Sequence, residues 1–180
     1  VVDQARVLLE DMPVAAFKVG ALTGVEQAAA VAEIVSDYPD IPLVLDPFMS
    51  GLPDSGLLDD DMLTVVRQIL VPQAEVLLVS QVELARMAET WRDAPATLAE
   101  DVAELTGTGC RYVLVTGTSS PGGTLANTLF NEDGPVATFS RPHLAGPFCG
   151  AGSTISGAVA ALLAARVDPV AAVEAAQAYA

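Results

Sequence analysis

Six consecutive residues, Cys149-Gly150-Ala151-Gly152-Ser153-Thr154, stand just before a run of small apolar residues with helical character. Two glycines around one small residue let neighbouring backbone N–H groups point the same way. At a helix N-terminus such a group of amides receives an anion, most often a phosphate. The same spacing also suits a small-residue helix start packed tightly on a strand, and a short glycine motif does not choose between the two. The segment is not a Walker A loop, because no Gly-Lys-Ser/Thr follows. A second segment, Val44-Leu45-Asp46-Pro47-Phe48-Met49, puts a carboxylate at the end of an apolar strand. There Asp46 can hold Mg²⁺ directly or through water, or simply form an Asp-Pro turn. A third, Ser80-Gln81-Val82-Glu83, follows another apolar strand. Glu83 is either a second, outer carboxylate for the same ion or an acid favoured by the dipole of a helix's first turn.

Other residues point less clearly to chemistry. His143 is the only histidine and follows Pro142, where a structural or solvent-exposed role suits it better than general-base work. Trp91 lies in a polar stretch and reads as a packing residue. Cys149 beside a helix start is either reactive or a small buried hydrophobe. Asp59-Asp60-Asp61 reads as a solvated helix N-terminus.

The elements that must position these residues alternate along the chain. Strands are expected at Val14 to Val19, Ile41 to Leu45, Val76 to Val79 and Tyr112 to Thr116. Helices are expected over Val2 to Glu10, Gln27 to Asp37 with Thr23 and Glu26 as a capping box, and Asp60 to Leu70. Further helices are expected from Ser80 or Gln81, over Ala96 to Leu105, over Gly150 to Arg166, and over Pro169 to Ala180 with Asp168 as N-cap. Phe48 to Asp59 reads as a loop and Gly117 to Gly123 as a flexible turn. Thr124 to Phe130 and Val136 to Ser140 flank Asn131-Glu132-Asp133-Gly134, a hairpin signature that adds an antiparallel edge. Apolar strands alternating with helices imply a mostly parallel sheet covered on both faces, with one domain over residues 1–180. In such sheets ligands bind beyond the carboxyl ends of the strands, so the loops after Val19, Leu45, Val79 and Thr116 should converge.

Composition bounds the partners. Of 180 residues, 52% are hydrophobic and 17% charged, which excludes a disordered chain. The 23 acidic and 8 basic residues give a net charge of −15, and Lys18 is the only lysine. Such a charge repels nucleic-acid phosphates and anionic lipid head groups. The two cysteines, Cys110 and Cys149, form no metal or disulfide framework. The apolar stretch Gly157 to Ala165 is too short to cross a bilayer, which takes roughly 20 residues. A cytoplasmic protein is the expectation. The chain begins with Val1 and stops within a helical pattern, which reads as an incomplete chain.

Taken in order, these segments resemble the phosphomethylpyrimidine kinases of thiamine biosynthesis, within the ribokinase-like superfamily. Pro13 to Gly20 (PVAAFKVG) resembles the family strand ending in Lys-x-Gly. Leu43 to Met49 (LVLDPFM), with Leu57-Leu58 after it, resembles its Leu-Asp-Pro-Val-Met segment. Val71-Pro72 to Glu83 resembles its Leu-Pro…Thr-Pro-Asn-x-x-Glu stretch. Val113 to Gly117 (VLVTG) and Gly150 to Thr154 (GAGST) resemble its nucleotide-side strand and its glycine signature.

The resemblance implies a three-layer α/β/α fold with a mostly parallel sheet, lacking the family's usual N-terminal portion and part of its C-terminal tail. It implies ATP- and Mg²⁺-dependent phosphorylation of a hydroxymethyl group, or of its monophosphate, on an aminopyrimidine. In that reading the amides of Gly150, Ala151 and Gly152 receive the γ-phosphate, Asp46 and Glu83 organise Mg²⁺, and Thr116, Gly117 and Thr154 border the nucleotide. Relatives often pair as homodimers. Three positions depart from the family. Ser153 stands where a catalytic base, Cys or Asp, is usual; Ser80 replaces the Asn; Cys149 replaces a frequent His. A serine hydroxyl is an ineffective base at neutral pH. Two alternatives therefore stand beside the kinase: a catalytically silent nucleotide- or ligand-binding relative, and a kinase of another small alcohol such as pyridoxal.

Overall fold

The computed structural model describes residues 2–48, 60–89, 96–120, 123–142 and 150–180. The elements run α1 (Val2–Asp11), β1 (Phe17–Val19), α2 (Val25–Asp37), β2 (Leu43–Leu45), α3 (Asp60–Val65), β3 (Ala74–Ser80) and α4 (Gln81–Glu89). There follow α5 (Leu98–Gly107), β4 (Tyr112–Ser120), β5 (Thr124–Asn131), β6 (Gly134–Pro142), α6 (Ala151–Ala164) and α7 (Pro169–Tyr179). The strands form one sheet in the order β1-β2-β3-β4-β5-β6. β1 to β4 are parallel, and β5 and β6 add an antiparallel edge.

Side chains alternate between the faces of each strand. One face carries Leu43, Leu45, Leu77, Val79, Val113 and Val115 against α2, α3, α4 and α5. The other carries Val44, Val76, Leu78 and Leu114 against α6 and α7. Because both faces are covered, the inner strands are apolar throughout. The alternation becomes visible only at their carboxyl ends. Two residues beyond Val44, Leu78 and Leu114 come Asp46, Ser80 and Thr116, so all three fall on the α6 face. Lys18 pairs with Val44 in the β1–β2 register and joins the same face.

The expected elements are present, with instructive differences. β1 and β2 are shorter than expected. Thr23 does not cap α2: Gly24 takes that position without a side-chain bond. Gln27 instead turns its Oε1 back to the Thr23 N–H at 2.9 Å and the Thr23 hydroxyl at 3.0 Å. The third helical residue closes the helix start, and that residue is Gln27 rather than Glu26. The helix expected through Leu70 changes after Val65 into a π-helical turn, Val66–Leu70, and then a 3₁₀ turn, Val71–Gln73. Pro72 has no N–H to continue the helical ladder, and the Gln73 amide serves the Ile69 carbonyl at 2.6 Å. The buried Arg67 guanidinium bonds the Met87 carbonyl and the Glu104 carboxylate, tying this turn to α4 and α5.

Gly117 to Ser120 is strand rather than turn. β4 continues because Thr118, Ser119 and Ser120 pair with Ala126, Leu125 and Thr124. An irregularity between Val115 and Thr118, with Gly117 at φ 75°, lets the strand bend there. The readings of residues 49–59, Trp91, His143 and Cys149 lie outside the described residues.

α5 begins with a complete capping box: the Glu100 N–H donates to Thr97 Oγ1 at 3.3 Å, and Glu100 Oε2 receives the Thr97 N–H at 2.7 Å. Thr97→Ala should lower the unfolding free energy by about 1 kcal/mol. Denaturant titration checks this, and an unchanged midpoint would show that the cap contributes nothing.

Candidate active site

At the carboxyl end of the sheet a cleft of about 280 Å³ lies between the strand ends and the N-terminus of α6. Asp46, Ser80, Glu83 and Thr116 line it together with Gly150, Ala151, Gly152 and Ser153, and Phe48, Leu78 and Val79 give it an apolar wall. The residues that follow β2 and close β3 thus meet Thr116, which lies within β4, whereas the segments after Val19 and Thr116 do not line the cleft.

α6 presents its amino end to this cleft. An α-helix leaves the N–H groups of its first turn without intrahelical partners. The ladder starts with the Thr154 N–H on the Gly150 carbonyl at 2.8 Å. Gly150 is the N-cap at φ 88°, in the left-handed region, and supplies no capping side chain. A side chain there would be strained. The amides of Ala151, Gly152 and Ser153 form the open end of the helix, where the dipole favours negative charge.

Asp46 is buried at 8% exposure, and its backbone N–H is held by the Val19 carbonyl at 2.8 Å. Its Oδ2 receives the Ser156 hydroxyl at 2.8 Å and the Ser153 hydroxyl at 3.5 Å, and faces the Lys18 ammonium at 3.5 Å. Ser153 and Ser156 are three apart, so α6 turns both hydroxyls to one side. Oδ1 faces Gly152, where an added Cβ would lie 4.0 Å away. A methyl there would only touch the carboxylate at ordinary contact distance.

Glu83 is also buried. Its Oε2 receives the Ser80 N–H at 2.7 Å, and its own N–H donates to Ser80 Oγ at 3.2 Å. The serine at the family's Asn position therefore makes a reciprocal cap for α4, which fixes the Glu83 carboxylate in the cleft wall. Thr116 lines the cleft with its hydroxyl 3.4 Å from the Val79 carbonyl.

The remaining candidates sit nearby but do not line the cleft. Gly117 donates its N–H to Asn127 Oδ1 at 2.9 Å, and Asn127 Nδ2 reaches Gln177 Oε1 on α7 at 2.9 Å. The Thr154 hydroxyl returns to the Gly150 carbonyl at 2.9 Å and borders the groove between α6 and α7. Cys110 lies at the opposite end of the sheet, before β4. Burial pushes its thiol up to about 12, so it stays protonated and inert at neutral pH.

Two residues that touch Asp46 were not assigned a role from sequence, Lys18 and Ser156. Its being the only lysine in an acidic chain, and its place in the Lys-x-Gly ending of the first strand, were the local signals for the first. The second stands three residues after Ser153 and could have been read as sharing its helix face.

Comparison with known proteins identifies the family. A family model described as phosphomethylpyrimidine kinase matches residues 1–180. A hydroxymethylpyrimidine/phosphomethylpyrimidine kinase of Streptomyces coelicolor is 30% identical over 177 residues, which cover 98% of this chain and 65% of that protein. The thiamine biosynthesis bifunctional protein ThiED of Geobacter sulfurreducens is 27% identical over 170 residues, covering 94% of this chain and 34% of that protein. This chain therefore spans about a third to two thirds of the length of such relatives. Among solved structures, an ADP complex of Bacillus subtilis pyridoxal kinase superposes with a TM-score of 0.84 at 23% identity, over 98% of this chain and 67% of that one. Phosphomethylpyrimidine kinase from Clostridium difficile 630 gives 0.77 at 21% identity, over 99% and 72%. These two likenesses bear on the fold, which is ribokinase-like. Among the described residues, no helix is long and apolar enough to cross a membrane.

Proposed function

The chain belongs to the phosphomethylpyrimidine kinase family, and from that we propose that it transfers the γ-phosphoryl group of ATP to the hydroxymethyl group of an aminopyrimidine, or to its monophosphate. The observation that carries the reading is the meeting, in one cleft, of the open amino end of α6 with the carboxylates of Asp46 and Glu83. Phosphoryl transfer asks for positioning and charge neutralisation more than for covalent chemistry. The amides of Ala151, Gly152 and Ser153 are placed to receive oxygens whose charge grows in the transition state. Thr116, Gly117 and Thr154 border the side from which the nucleotide enters.

The donor set fits Mg²⁺. Both carboxylates offer hard oxygens, and no group of three or more His, Cys, Asp and Glu side chains assembles among the described residues. Mg²⁺ is commonly held in this way, by one or two carboxylates, several waters and the phosphates of its substrate. Asp46 and Glu83 would hold it, and it would supply neutralisation of phosphate charge. Proton removal from the accepting alcohol is the weak point of the site. Ser153 has no useful basicity, and that observation favours a second reading, a nucleotide-binding relative without turnover.

ADP release from Mg-ATP tests the proposal, measured with the hydroxymethylpyrimidine alcohol, with its monophosphate, with pyridoxal and without acceptor. Release that depends on a pyrimidine acceptor is expected. Release with pyridoxal alone reassigns the substrate, and Mg-ATP binding without release leaves the silent reading.

A further inference from the structure

The ammonium of Lys18 lies 3.5 Å from Asp46 Oδ2, inside a chain of net charge −15 that has no other lysine. The contact is built by the fold. The β1–β2 register puts Lys18 opposite Val44, on the α6 face and level with the approach to Asp46. Gly20 leaves the space: a Cβ there would meet Lys18 Nζ at 2.9 Å. The side chain folds back over this glycine toward the strand ends, and is left 28% exposed. From the α6 side the Ser156 hydroxyl, fully buried, donates to the same oxygen at 2.8 Å and fixes the carboxylate. The carboxylate thus already has a cation beside it, and that cation is on a flexible stem.

We propose that Lys18 is the internal counter-cation of Asp46. It neutralises Oδ2 while the cleft holds no divalent ion, and it gives up that oxygen when Asp46 holds one. The released ammonium then faces the same space as the open amides of α6 and adds a positive charge for phosphate oxygens. Glu83 is the other carboxylate lining the cleft, so without Lys18 two negative groups would meet an incoming polyphosphate. Two like cations competing for one carboxylate repel each other through a partly desolvated space, where such terms are larger than in bulk water. The last step, the turn toward phosphate, rests on the kinase reading, whereas the exchange at Asp46 does not.

Mn²⁺ binding to the nucleotide-free chain at fixed pH tests the exchange. Lys18→Met should tighten Mn²⁺ binding about tenfold. Lys18→Arg, which keeps the charge, should stay close to the parent. Gly20→Ala pushes the ammonium aside without touching a backbone contact, and should tighten binding by a smaller factor. A second readout uses the single lysine. Reductive methylation with ¹³C-formaldehyde labels Lys18 as the only side-chain amine, and its NMR signal should move when Mg²⁺ is added to the parent but not to Asp46→Asn. Mn²⁺ affinity in Lys18→Met that is equal to or weaker than the parent's overturns the proposal. So does a Lys18 signal indifferent to Mg²⁺, or Mn²⁺ binding to no variant. The kinase reading fails by a different sign, absence of acceptor-dependent ADP release with the Lys18 exchange intact.

Discussion

Replacing Ser153 with cysteine raises acceptor-dependent ADP release by about 10²-fold or more, the usual contribution of a positioned general base. Ser153 is exposed at the mouth of the cleft, and its Oγ lies within 3.5 Å of Asp46 Oδ2. A thiol is only slightly larger than a hydroxyl and fits without moving α6. Its ordinary pKa, about 8.5, is far closer to the working pH than that of an alcohol. The kcat value should carry the gain, with the KM for ATP unchanged, since the amide end of α6 is untouched. If neither the parent nor Ser153→Cys releases ADP while Mg-ATP still binds, the protein is a silent nucleotide-binding relative.

Asp46→Asn is the complementary loss. It should lower ADP release by about 10²-fold and remove nucleotide-independent Mn²⁺ binding, as expected for a group that holds the catalytic ion. Asparagine has nearly the same shape, and its Oδ1 can still receive the Ser156 hydroxyl. What disappears is the charge. Lys18 loses its partner but is partly exposed and can turn to water, so the fold should survive, with a melting temperature within a few degrees of the parent. Activity retained within threefold would remove Asp46 from the metal and phosphate chemistry.

The parts of this fold that could be read from sequence are those written in local pattern. Asp168 followed by Pro169 announced the start of α7, and the Asp168 carboxylate does receive the N–H groups of Val170 and Ala171 at 3.0 and 3.3 Å. The Asp133-Gly134 turn announced the β5–β6 hairpin, with Gly134 at φ 119°. Asp46 and Glu83 stood out because each acid comes at or soon after the end of an apolar strand, although an Asp-Pro turn and a helix's first turn also account for them. The stretch Gly117 to Ser120 misled for the opposite reason. Its composition is that of a turn, and only pairing with β5 makes it strand, so its conformation is decided by a partner rather than by propensity. The cap of α2 shows the limit of motif reading at one residue's resolution: Thr23 and Glu26 have the right types, but the helix starts one position later and selects Gln27. Ser156 and Lys18 were hidden more deeply. Their roles come from contacts with Asp46 that no window of neighbouring residues contains. The alternation that would have put Lys18, Asp46, Ser80 and Thr116 on one face is masked where both faces are apolar.

The sheet order fixes when, in the life of a nascent chain, the cleft can exist. Strands laid down side by side in sequence order, with crossovers of one hand, send α2 to α5 to a single face. A growing polypeptide can therefore finish that face while the opposite side, with Val44, Leu78 and Leu114, still waits for α6 and α7. Asp46 leaves the ribosome 107 and 110 residues ahead of the two serines it will meet. During that interval the unfinished molecule carries a bare apolar surface. Under the proposed function, nucleotide cannot act as a folding template for the first half, because the amino end of α6 that would seat its phosphate is translated after all six strands.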